Sequence, residues 1–216
     1  MSVCTDNFFT YVKMQSILCR MIDERWIYLS VILLLVGNLS YAYGVVRGTV
    51  RPNRMTWGIL SIAPMIAAAS MASQHVPFHQ SLFTMIVGID PLIIFTCSFF
   101  SQTAAWKLKR FDMLCGALAV GGLVAWQASG NANIAIAFSV FADGMAFLPT
   151  LIKAYKYPET EGLTLYVLGA ISAVTALLII DVWDFTHLAF PVYILTADVC
   201  AMLFVVRRYL HAPTPV

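Results

Sequence analysis

Ala142–Ile171 reads ADGMAFLPTLIKAYKYPETEGLTLYVLGAI, and its pattern decides the fold. The stretch opens inside an apolar run, carries one acid at Asp143, breaks at Pro149 and surfaces through Lys153 and Lys156. After the polar turn Thr160-Glu161-Gly162-Leu163-Thr164 it re-enters an apolar run. Two hydrophobic helices joined by a short turn, with lysines on the turn side, account for that order.

The rest of the chain has the same character. Of 216 residues, 60% are hydrophobic and 11% charged, with a mean hydropathy of +0.81. Soluble domains carry nearer a quarter charged residues, so the composition is that of a polytopic membrane protein. The apolar runs are continuous rather than alternating, which selects helical spans over a transmembrane barrel. The length fits about seven spans of roughly 20 residues. The five cysteines (Cys4, Cys19, Cys97, Cys115, Cys200) are scattered without a CxxC pair, and we expect neither a disulfide framework nor a metal site from them. His75, His79 and His187 read as loop residues.

Residues 1–25 mix charge and apolarity without the uninterrupted apolar stretch of a signal peptide, and we read them as a dispensable tail. The spans expected after it run from Trp26 to Val46, Met55 to Ser73, Ser81 to Ser101, Phe111 to Ser129, Asn131 to about Ala154, Leu163 to Ile180, and from about Leu188 to Arg207-Arg208. From Arg47 onward the ten basic residues all fall on one side: Arg47, Arg51, Arg54, Lys107, Lys109, Arg110, Lys153, Lys156, Arg207 and Arg208. The opposite loops carry no Lys or Arg. Basic residues beside short loops stay cytoplasmic, which predicts a multi-pass protein of the cell (inner or plasma) membrane, N-terminus outside and C-terminus cytoplasmic.

The chain also repeats itself. Arg47 and Pro52 match Lys153 and Pro158 at a spacing of 106, and Thr56, Leu60, Ile86 and Asp90 match Thr164, Leu168, Ile194 and Asp198 at 108. The expected organisation is a first triple-helix repeat over 26–101, a basic loop and linker helix over 102–130, a second triple-helix repeat over 131–210, and a tail over 211–216. An odd number of intervening spans makes the two repeats parallel, related by an axis along the membrane normal.

Leu148-Pro149, Lys153 and Thr160-Glu161-Gly162-Leu163-Thr164 together resemble the PQ-loop signature of the SWEET, SemiSWEET and lysosomal PQ-loop transporters, with Thr150 where the signature has Gln. The three-plus-one-plus-three plan is similar to that of SWEET proteins over about residues 26–210. The resemblance implies an all-α membrane transporter that carries a small polar solute, a sugar or an amino-acid-like molecule, by alternating access. It implies no enzyme activity, no cofactor and no nucleic acid. Partners are the solute and the lipid bilayer; proton coupling and a homo-oligomer stay open. A receptor or interaction protein on the same scaffold is the alternative, since fold does not fix function.

Four polar side chains sit at mid-span: Asn38, Asp90, Asp143 and Asp198. A charge at that depth costs a few kcal/mol, so such a residue faces a cavity, pairs or is neutralised, and it marks a substrate or proton site. The competing reading is hydrogen-bonding glue between helices. SWEET proteins line their sugar pocket with a matched Asn pair on the third and seventh helices. Asp90 and Asp198 look like its equivalents, and the change to acids counts against simple sugar uniport. Pro64, Pro91 and Pro149 each remove a helix hydrogen bond and are hinge candidates, although prolines are common in membrane helices. Tyr43-Gly44 stands where the SWEET pattern has a first-helix proline. Trp57, Trp106, Trp126 and Trp183 lie near span ends and read as interfacial anchors, with capping of a cavity as the alternative for Trp57, which follows the first-repeat loop. Arg47, Arg51 and Arg54 have topology as a sufficient explanation.

Overall fold

The computed structural model describes residues 23 and 25–100, nine positions between 110 and 124, and 131–210. All regular structure among them is helical: α1 Trp26–Arg47, α2 Arg54–Ser73, α3 Phe78–Phe100, α4 Ala132–Lys156, α5 Leu163–Ile179 and α6 Phe185–Leu210, with a 3-10 turn at Pro158–Thr160 between α4 and α5. All but α5 are long and apolar enough to cross a membrane. At 17 residues, α5 spans about 25 Å, close to the lower limit for a crossing. The chain is a multi-pass membrane protein. The expected N-terminal tail falls outside the described residues, and so does most of the fourth span; the parts of the latter that are described, such as Phe111 and Met113 to Cys115, are helical.

The helices bury their small and polar residues together with part of their large apolar ones, and show further large apolar side chains outward, as a water-soluble bundle would not. On α1 the buried face is Ile27, Ser30, Leu34, Gly37, Asn38, Tyr41, Ala42 and Val45. Its exposed face carries Tyr28, Ile32, Val36, Leu39 and Tyr43. Hydrocarbon solvates those side chains as well as a protein core would, so packing is left to small residues and interhelical hydrogen bonds. Ser30 and Ser172 illustrate this: each hydroxyl donates to the other's carbonyl, at 2.8 and 2.7 Å, tying α1 to α5.

Local signals explain the helix ends. Gly48 follows α1 with φ 76°, a left-handed cap position that glycine adopts without strain. The Asn131 side chain accepts from the backbone N–H groups of Asn133 and Ile134 and starts α4. Asp184 likewise accepts from His187 N at 3.0 Å at the head of α6, and its carboxylate also meets the His187 ring at 2.6 Å.

The six helices close into a ring. Around it, α1 packs on α3 and α5, α2 on α3 and α4, and α6 on α4 and α5, while α3 also touches α6 across the middle. The turns after α1 and α4 meet at one end, where Arg51 N donates to Thr160 O. Asn133 at the start of α4 binds Thr186 at the start of α6 at the other end. α3 finishes at the basic end, where Arg54 donates to Ser98 O at 2.7 Å, whereas α4 starts at the opposite end. Two apolar clusters fill the ring. One, around Tyr41, Trp57, Ile94, Phe147 and Val205, lies toward the basic end; the other, around Ile27, Met71, Phe83, Ile136 and Phe190, lies toward the opposite end.

Candidate functional site

A cavity of about 70 Å³ lies between these clusters, and every one of the six helices lines it. Asn38 (α1), Asp90 (α3), Asp143 (α4) and Asp198 (α6) all face it. The four polar residues singled out by depth alone thus come together around one space. A cavity of this size holds a few waters or a few heavy atoms of a solute.

The four do not have equal surroundings. Asn38 Nδ2 donates to Leu34 O at 2.9 Å and to Asp90 Oδ2 at 3.0 Å. Both amide protons are thereby used, so Asn38 holds Asp90 in place. The other Asp90 oxygen, Oδ1, has no partner among the described residues, and the residue is only 1% exposed. Asp143 is 2% exposed; its Oδ1 is also without a partner among the described residues, and Tyr193 lines the same cavity. Asp198 is partly buried and presses against Gly169, where even a methyl group would run into its carboxylate. The residue at 169 must therefore be glycine for Asp198 to keep its place.

Aromatic and apolar groups form the remaining wall, among them Trp57, Phe147, Tyr166 and Tyr193. Trp57 departs from the expected interfacial anchor. It is 4% exposed, and the Tyr41 ring covers it at 5.0 Å, because α1 rather than the headgroup layer meets that turn of α2. Trp183 is exposed as an anchor would be; Trp106 and Trp126 lie outside the described residues.

Beyond the basic end of the cavity lies a buried ion pair. Lys153 Nζ lies 2.5 Å from Glu161 Oε1 and donates to Arg51 O at 2.5 Å. Glu161 Oε2 accepts from Tyr166 at 2.7 Å and Tyr41 at 3.1 Å. Lys153 and Glu161 are 2% and 3% exposed. One side chain of the cluster, Tyr166, is also cavity wall. Lys153 reads in sequence as a topology marker flanking a loop, but the turn after α4 folds back to cover it.

Pro64, Pro91 and Pro149 all lie inside helices and are buried; Pro191, inside α6, is a fourth that the sequence reading does not single out. Pro64 and Pro91 free the carbonyls of Leu60 and Val87, and both of those residues line the cavity. No protein-family model, curated protein or solved structure matches the chain.

Proposed function

We propose that the protein is a SWEET-like, PQ-loop type transporter that moves a small polar solute through the central cavity by alternating access. The observation that carries this reading is one central cavity that all six helices line and that Asn38, Asp90, Asp143 and Asp198 all face. A two-repeat plan is supported by the packing order. Exchanging α1, α2 and α3 for α4, α5 and α6 leaves the set of neighbours around the ring unchanged. That is what a pseudo-two-fold axis through the cavity requires.

Bonds between the two triplets sit at both ends. The Lys153–Glu161 cluster links α1, the turn after it, α4 and α5 at the basic end. Toward the other end, Ser30–Ser172 links α1 to α5, and Gln80 donates to Asp181 at 3.2 Å. Opening one set while the other holds exposes the cavity to one side at a time. Pro64, Pro91 and Pro149 serve as the bending points. The basic end faces the cytoplasm by the positive-inside rule.

Three carboxyls around one cavity must be compensated by protons or by the solute itself. Flux into proteoliposomes tests the reading. Solute uptake is expected to depend on pH through Asp90 and Asp198, with Asp143, Tyr166 and Tyr193 facing the same space. Asp90→Asn or Asp198→Asn keeps shape and hydrogen bonding but removes titration, and either is expected to flatten the pH profile. Unchanged pH dependence in both variants returns the acids to the role of helix glue.

A receptor is the second reading. It is favoured by a polar groove at the basic end, lined by Ser40, Thr49, Glu159, Glu161 and Thr164. A receptor binds there without any flux.

A further inference from the structure

The cavity's chemistry narrows the solute class, and this step rests on the transport reading above. We infer that the cavity takes a compact organic cation, an ammonium or guanidinium compound of a few heavy atoms without a carboxylate of its own.

The ionisable groups that line it are three carboxyls, Asp90, Asp143 and Asp198, and two phenols, Tyr166 and Tyr193; no Lys, Arg or His is among the lining residues. The buried lysine nearest in the architecture, Lys153, is committed to Glu161 and Arg51 O. Two carboxylate oxygens, Asp90 Oδ1 and Asp143 Oδ1, have no hydrogen-bond donor among the described residues although both residues are at least 98% buried. An acceptor left so keeps the full cost of its desolvation, and the cost is greater when the group is charged. A ligand that carries N–H donors and positive charge satisfies both oxygens and offsets the negative charge in one step.

Other classes fit less well. A neutral polyol brings donors but leaves the charge uncompensated. An anion, or an amino acid with its carboxylate, places like charge against three acids. A bare metal ion needs several oxygens converging on one point, and among the described residues no three His, Cys, Asp or Glu side chains are close enough to hold one. The acids are therefore spaced around a polyatomic cation, not a point ion. Trp57, Phe147, Tyr166 and Tyr193 complete the wall, and aromatic rings attract weakly hydrated organic cations. A volume of about 70 Å³ limits the ligand to a few heavy atoms.

Guanidinium and urea have nearly the same shape and differ in charge, so they make a direct pair of probes. Binding to the purified full chain is followed by the fluorescence of its tryptophans at low millimolar ligand, with sodium chloride as the ionic control. Guanidinium is expected to saturate and to bind at least tenfold tighter than urea, while sodium gives no saturable change. Asp143→Asn is expected to weaken guanidinium at least tenfold with the protein still folded by thermal unfolding. Should that variant unfold, Asp90→Asn serves the same purpose. Equal binding of urea, or no saturable guanidinium binding, overturns the inference. Labelled guanidinium uptake into proteoliposomes separates the two levels. Saturable binding without uptake keeps the cation site and overturns transport; uptake of glycerol or glucose with no guanidinium binding keeps transport and overturns the cation site.

Discussion

Lys153 and Glu161 show how much one residue's surroundings decide. Each is nearly fully buried and each neutralises the other. Removing one charge strands the other, at a cost of about 3–5 kcal/mol, whereas replacing both is far cheaper. Glu161→Gln is therefore expected to lower thermal stability in detergent sharply, and Lys153→Met combined with Glu161→Gln to recover most of the loss; a double-mutant cycle on Tm measures it. Gly169→Ala makes a different prediction. The added methyl displaces the Asp198 carboxylate, so transport kcat/KM should fall by roughly tenfold or more while Tm changes little. The sequence made Asn38, Asp90, Asp143 and Asp198 visible because a polar group stands out against an apolar span. Trp57, Phe147, Tyr166 and Tyr193 were not visible in that way, since aromatics are ordinary in membrane helices and only packing selects which of them face inward. The Lys153–Glu161 pair had a signal in opposite charges flanking one turn, but basic residues there also serve topology, and that explanation was sufficient without a partner.

At the scale of the helix, hydropathy placed the described spans to within a few residues: Phe78–Phe100 and Phe185–Leu210 begin about three residues before the expected spans, and Ala132–Lys156 ends two beyond. The first two start early because Pro77 O and Asp184 supply first-turn bonds, and the third runs on because Tyr157 N still bonds Lys153 O, none of which hydropathy registers. Proline positions were equally legible, but not which of them bend. Pro149 lies in α4 between Asp143, which lines the cavity, and Lys153, which forms the buried ion pair with Glu161. Pro149→Ala restores the missing bond to Met145 O and stiffens that segment. Turnover is expected to fall with KM little changed, measured as initial rates over a range of solute concentration. An unchanged turnover assigns Pro149 to packing alone.

At the scale of the molecule, the account joins a ring of six helices, a cavity between two apolar clusters, and inter-triplet bonds at both ends. The ring order was not readable from the sequence, because the internal repeat says which helices correspond but not which ones touch. Orientation is tested by reporters: one fused after His211 is expected to be cytoplasmic and one in the loop 74–77 external, and finding both on one side contradicts the seven-crossing plan. The central claim is that the cavity opens to each side in turn, and accessibility of a cavity position tests it most directly. Ala197 lines the cavity on α6, one residue before Asp198. In a chain whose five native cysteines are replaced by alanine, Ala197→Cys is treated with a small membrane-impermeant thiol reagent in right-side-out and in inside-out vesicles. Labelling from both sides, slowed from both by a bound solute, is the predicted result; labelling from one side only, or from neither, contradicts alternating access.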